Sequence, residues 1–159
     1  MFRFVVHRLR WLARVPGLPQ LFDAALLAWT WIAHPARLAA MQEIETRALA
    51  LPGVRLRTHR LGGTEFACGP RELGHLHGNG LLDLRVGRAQ RDALVAAGRA
   101  EPHHVFTESG WISFWVREKA DAAAACELLA IAAGVSDPER VQHLQRRVIL
   151  SGAEAERRA

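Results

Sequence analysis

Apolar and polar residues alternate with a period of two through the middle of the chain and follow a helical period on either side of it. Val54 to His59 places Val54, Leu56 and Thr58 on one side and Arg55, Arg57 and His59 on the other, the pattern of a half-buried strand. Gly62-Gly63 predicts a turn and Thr64 to Cys68 a returning strand. Gly69-Pro70 turns again into Arg71 to His77, and Gly78-Asn79-Gly80 turns into Leu81 to Val86. Trp111 to Arg117 is the last alternating run. Pro35 to Ala50 reads as a helix with Leu38, Met41, Ile44 and Ala48 on one stripe. Arg88 to Ala97, closed by Gly98, and Ala120 to Ala133, closed by Gly134, read as two more. Ser136-Asp137-Pro138-Glu139 has the capping residues of a further helix carrying Val141, Leu144 and Val148, followed by a polar tail from Ser151.

Strands joined by tight turns pair antiparallel. The expected fold class is therefore α+β: a β-meander of about five strands, with helices packed on one face. Phe66, Cys68, Leu82, Leu84, Val86, Ile112, Phe114 and Val116 form the set expected to meet the helices. The opposite set holds Glu65, Arg71, His75, His77, Asp83, Arg85, Trp111, Ser113, Trp115 and Arg117. Charged, imidazole and indole groups on one sheet surface compose a ligand site, with an aromatic or enolic small molecule as the expected partner.

Before this block, Arg3, Arg8, Arg10 and Arg14 precede an apolar run from Leu21 to Ala33. The run is shorter than the about 20 apolar residues a span needs, and Pro16 and Pro19 interrupt its extension backward. Trp29, Trp31 and the basic flank suit a helix lying on a membrane surface; a helix buried against the domain or in a homodimer is the equal alternative. Asp23 reads as a capping charge. The expected organisation is a segment 1–34, an α+β domain 35–150 and a tail 151–159. At 159 residues and 50% hydrophobic content the chain can bury a core. The net charge of +5 comes with no zinc-finger, RNP or basic-helix signature, so nucleic acid is not an expected partner. Cys68 and Cys126 read as buried thiols of a reducing compartment, pointing to a cytoplasmic protein, against the inner face of the membrane if the N-terminal segment docks there.

His75 and His77, two apart on a strand, point the same way. That spacing suits a metal completed by Asp83 or by His103 or His104, with His75, His77 and His104 as the alternative ligand set. Gly69-x5-His75-x-His77 begins like a cupin motif, but Leu81 and Leu82 stand where its glutamate belongs. Without metal, a histidine serves as general base tuned by Asp83 or Glu65, Arg57 or Arg71 holds an anionic oxygen, and Trp111 or Trp115 stacks on a flat ligand. His103 and His104 follow Pro102, so one is expected inward and the other toward solvent. Ser109 lacks a Gly-x-Ser-x-Gly context, and no P-loop or Gly-x-Gly-x-x-Gly unit occurs.

The ordered series from His59-Arg60-Leu61-Gly62-Gly63-Thr64-Glu65-Phe66 through Glu72-Leu73-Gly74-His75-Leu76-His77-Gly78, Asp83-Leu84, Arg91 to Ala100, His103-His104-Val105 and Ser109-Gly110-Trp111-Ile112-Ser113 resembles the luciferase-domain family. The resemblance runs from about Met41 to Ala133. It implies oxidation of a hydroxylated pyrone-type enol by molecular oxygen without metal or organic cofactor, and a membrane-associated N-terminal segment. Light emission is not implied, because fold and family do not fix the reaction. The expected catalytic residues are His75, His77, Asp83, His103 and His104; Arg57, Glu65, Arg71, Trp111, Ser113 and Trp115 are expected to bind substrate.

Overall fold

The computed structural model describes residues 17–135. The N-terminal arginines, the helix expected after Ser136 and the polar tail lie outside them. Among the described residues the order is α1 (Leu18–Ala33), α2 (Pro35–Ala48), β1 (Val54–Thr58), β2 (Thr64–Cys68), β3 (Arg71–Leu76), β4 (Leu81–Arg85), α3 (Arg88–Ala96), β5 (Glu101–Pro102), β6 (Trp111–Trp115) and α4 (Asp121–Ala132). The six strands form one sheet in the order β1-β2-β3-β4-β6-β5, antiparallel throughout. The expected α+β meander is what the chain forms, with the two-residue β5 added at the edge beyond β6.

The period-2 pattern sets the two faces. Phe66, Leu82, Leu84, Ile112 and Val116 are buried in one core with Met41 and Ile44 of α2 and with Leu128 and Leu129 of α4; Cys68, Val86 and Phe114 pack at its margin. Helices α2 and α4 pack on each other and on this face. Alanines at 122, 125, 130 and 132 are all buried, and their small side chains let α4 lie close to α2 and the sheet. Cys126 is buried there, and desolvation pushes its thiol up to about 12, as for an inert core cysteine.

One irregularity in β3 rearranges the other face. Phe66 pairs with Gly74 but Ala67 pairs with Glu72, so Leu73 is an extra residue, a β-bulge. Side-chain parity reverses across it. Leu73 and Arg71 turn to the helix side, where Leu73 joins the core and Arg71 Nη2 donates to the Ala132 carbonyl at 3.3 Å. Arg71 was expected beside His75; strict alternation fails at the bulge, and Glu72 takes that place.

Helix α1 is turned inside out. Its buried residues are Asp23 and Thr30, while Leu21, Phe22, Leu27, Trp29, Trp31 and Ile32 are exposed. Asp23 makes no capping bond to its own helix. Its Oδ1 instead accepts a hydrogen bond from the Gly78 N–H at 2.9 Å. Gln20 Nε2 donates to the Arg60 carbonyl in the β1–β2 turn at 2.5 Å. These polar tethers, rather than an apolar stripe, hold α1 against two turns at one end of the sheet. No described helix is long and apolar enough to cross a membrane.

Candidate functional site

A cross-strand row runs over the face opposite the helices: Arg57, Glu65, His75, Asp83, Ser113 and Glu101 are successive partners on β1, β2, β3, β4, β6 and β5. Directly paired residues share a face, so the row brings five of the expected site residues onto one surface. His77 lies two residues beyond His75, and Trp111 and Trp115 flank Ser113 at the same parity.

Asp83 is the centre, with no exposed surface. Its Oδ1 accepts a hydrogen bond from Ser113 Oγ at 2.5 Å. Its Oδ2 faces four imidazoles: His75 Nε2 and His103 Nε2 at 3.6 Å, His104 Nδ1 at 3.6 Å and His77 Nε2 at 3.7 Å. The expectation that one of His103 and His104 would face solvent is therefore corrected. Both rings turn inward, stacked with centroids 4.5 Å apart, because the loop after β5 folds back over β4. Burial disfavours the Asp83 charge, but the hydrogen bonds from His104 and His77, the His103 ring and Ser113 together hold its carboxyl well below the ordinary range.

The outer nitrogens fix the tautomers. A carboxylate only accepts, so His75 Nδ1–H donates to Glu72 Oε1 at 2.7 Å and His77 Nδ1–H donates to Asp23 Oδ1 at 3.3 Å. His103 is wired the other way: its Nδ1 accepts from the N–H groups of Val105 at 3.0 Å and Phe106 at 3.1 Å. Its proton therefore sits on Nε2, toward Asp83. Burial is the chief cause that lowers His103 to about 4, against the raising effect of Asp83, so this ring is neutral. Burial also pulls on His77, but its hydrogen bonds to Asp23 and Asp83 win and raise it to about 9. The hydrogen bond from His75 keeps the Glu72 carboxyl low.

His59 was expected on β1 and outside the site. The strand ends at Thr58, and His59 lies buried in the turn, stacked on His75 at 3.9 Å with the rings 6° apart. Burial first, then the neighbouring His75, lowers it to about 4. The ring of Trp111 lies 5.8 Å from those of both His75 and His103. Arg57 shares the face but bonds the Gly69 carbonyl at 3.0 Å, two strands away from His75. Trp115 sits opposite Leu81, two pairs along from the central row.

Three residues of the cluster escaped the alternation pattern. Glu72 is hidden by the bulge, His59 by the end of a strand, and Asp23 by its distance in sequence. Gly74 in mid-strand was a signal for the first. Nothing near Asp23 marked it except a lone acid in an apolar run.

The fold and the cluster define a small α+β domain with a histidine–carboxylate centre on one face of an antiparallel sheet. Residues 70–132 match the family model described as Luciferase domain. The match runs from the start of β3 to the end of α4 and contains Glu72, His75, His77, Asp83, His103, His104, Trp111 and Ser113; Asp23 and His59 precede it. Comparison with curated proteins and with solved structures finds no match.

Proposed function

We propose that the cluster around Asp83 ionises an enol or phenol of a small molecule and holds the resulting anion for reaction with molecular oxygen. The observation that carries this reading is the pairing of two imidazoles with opposite duties on one carboxylate. His75 is oriented by Glu72, with its Nε2 turned to the interior, and can take a proton. His77, held between Asp23 and Asp83, carries a positive charge that can face an oxyanion. Trp111, beside both His75 and His103, supplies an apolar wall for a flat ring. His77 takes over the anion-holding role that an arginine was expected to play. The match of residues 70–132 to the Luciferase domain model supports the class of reaction, and light emission is no part of the reading.

An oxygen electrode with a panel of hydroxylated pyrones and catechols tests it. Consumption of oxygen is expected with at least one compound, and a loss of about 100-fold or more in His75→Ala and His77→Ala. Variants that fold and keep full activity would sink the assignment.

Helix α1 supports a second, separate reading: attachment to an anionic membrane surface. Its exposed Leu21, Trp29, Trp31 and Ile32 match a shallow interfacial face, and four arginines precede it in the sequence. Co-sedimentation with anionic vesicles is expected for the full chain and not for Trp29→Ser/Trp31→Ser/Ile32→Ser. Equal binding by both proteins refutes the reading, as does a stable dimer that buries the same face.

A further inference from the structure

We propose that His75 Nε2, His77 Nε2 and Asp83 Oδ2 form a binding site for one divalent first-row transition metal ion. This rests on the reading of the cluster as a reaction site and goes beyond it: with the ion bound, the ion and not His77 would face the anion, and His75 would be a ligand and not a base.

Three independent features of the structure converge on it. The first is spacing. Ligand atoms of His75, His77 and Asp83 all lie within 4.8 Å of one another, and Asp83 Oδ2 is 3.6–3.7 Å from the imidazole nitrogens. Ligands ~2.1 Å from one ion and ~90–110° apart lie ~3.0–3.4 Å from each other, so the three groups would draw inward to close the site. The second is the outer set of hydrogen bonds. Glu72 and Asp23 fix the proton on Nδ1 of His75 and His77, which turns both Nε2 atoms inward, and Ser113 holds the other oxygen of Asp83. Carboxylate–histidine pairs of this kind orient and strengthen metal ligands. The third is a buried anion with only loosely placed neighbours: Asp83 Oδ2 is fully buried, and the four imidazole nitrogens around it stand 3.6–3.7 Å away. A buried carboxylate oxygen whose neighbours stand this far off is costly, and an ion at this point would contact it directly.

Charge agrees. Asp23, Glu72 and Asp83 bring three carboxylates to the cluster, and their ion pairs within it are all with histidines. A dication among three carboxylates brings the total closer to neutrality. The chemistry of the donors also excludes a member: His103, with Nδ1 already accepting two backbone N–H bonds, presents a proton rather than a lone pair at Nε2. It would donate a hydrogen bond to Asp83 or to an oxygen on the ion.

Two imidazoles and one carboxylate on one side of an ion, with other positions open, suit Fe(II) and oxygen chemistry. A Lewis-acidic ion lowers the pKa of an enol directly, so in a loaded site the enol proton would pass to solvent water, with His75 serving as a ligand.

The test uses the full chain without an affinity tag, titrated anaerobically with Fe(II) or with Co(II) as an optical probe. About one ion per chain is expected, with visible Co(II) bands and a raised thermal midpoint. His75→Gln, His77→Gln and Asp83→Asn, each checked for folding by circular dichroism, are expected to weaken binding by 10-fold or more, whereas His103→Gln keeps it. Wild-type protein that binds no more Co(II) than Asp83→Asn overturns the site, and equal loss in His103→Gln overturns the ligand set. Chelator-treated protein that consumes oxygen at the full rate overturns the ion's role while leaving the enol chemistry standing. Tight binding without turnover of any compound in the panel supports the ion and counts against the reaction.

Discussion

Glu72 and His75 share a 2.7 Å hydrogen bond although they lie three apart on one strand, where regular alternation would put them on opposite faces. The bulge at Leu73 brings them together, and Gly74 permits it. A Cβ at position 74 would fall on the Asp83 carbonyl oxygen and come within 2.6 Å of Leu84 Cδ2. Gly74→Ala is therefore expected to cost ~2–4 kcal/mol in urea unfolding, by overpacking and by disturbing the β3–β4 pairing. An unchanged midpoint would show that the two strands are not held this closely.

The stability of the metal-free protein is expected to peak near pH 6.5 and to fall on both sides. His77 is raised from 6.5 to about 9, so its contribution is complete below pH 6.5 and disappears as pH rises through 9. His59 and His103 are lowered from 6.5 to about 4, so the folded form is favoured fully above pH 6.5 and loses ground as pH falls toward 4. Asp83, with its carboxyl held low, adds to the acid-side loss. Denaturation midpoints between pH 4 and 9.5 check this, and a profile flat from 6.5 to 9.5 would mean that His77 is not charged in the folded chain.

The face carrying the site was legible because period-2 alternation survives in β4 and β6: Asp83, Trp111, Ser113 and Trp115 stand on the side their spacing implies. It failed where the backbone departs from regularity. A bulge moves every residue before it to the other face, which exchanged Arg71 for Glu72. His59 was misplaced because its strand stops one residue early, and Asp23 because a long-range contact leaves no local trace. The polar character of α1's buried side ran against the ordinary amphipathic rule, so its apolar run concealed the residue that reaches the cluster.

Helix α1 is held by close backbone approach as well as by Asp23. A Cβ at Gly78 would come within 2.6 Å of the Asp23 carbonyl oxygen and 2.7 Å of the Leu27 nitrogen. Gly78→Ala is expected to lift α1 from the sheet while the core between α2, α4 and the sheet stays folded. Hydrogen exchange should then speed up by about 10-fold or more across Leu18–Ala33, with little change in β3 and β4. Uniform loss of protection throughout the domain would show that α1 is integral to the core.

The charge on His77 depends on two carboxylates from different parts of the chain, and each can be removed with little change of shape. Asp83→Asn takes away the partner facing Nε2 at 3.7 Å and leaves Asp23 at Nδ1, 3.3 Å away. Burial then opposes a single carboxylate, so the His77 pKa is expected to fall by about one unit or more in an NMR titration. Asp23→Asn is expected to shift it in the same direction. Ser113→Ala differs in kind: it removes the 2.5 Å bond to Asp83 Oδ1, and keeps the carboxylate charged while making that charge less comfortable. It is expected to destabilise the fold by ~1–3 kcal/mol and to raise the Asp83 pKa, with a smaller effect on His77 than Asp83→Asn. If His77 titrates unchanged in Asp83→Asn, its proton belongs to the Asp23 pair alone, and the four rings do not share Asp83 as their common counter-charge.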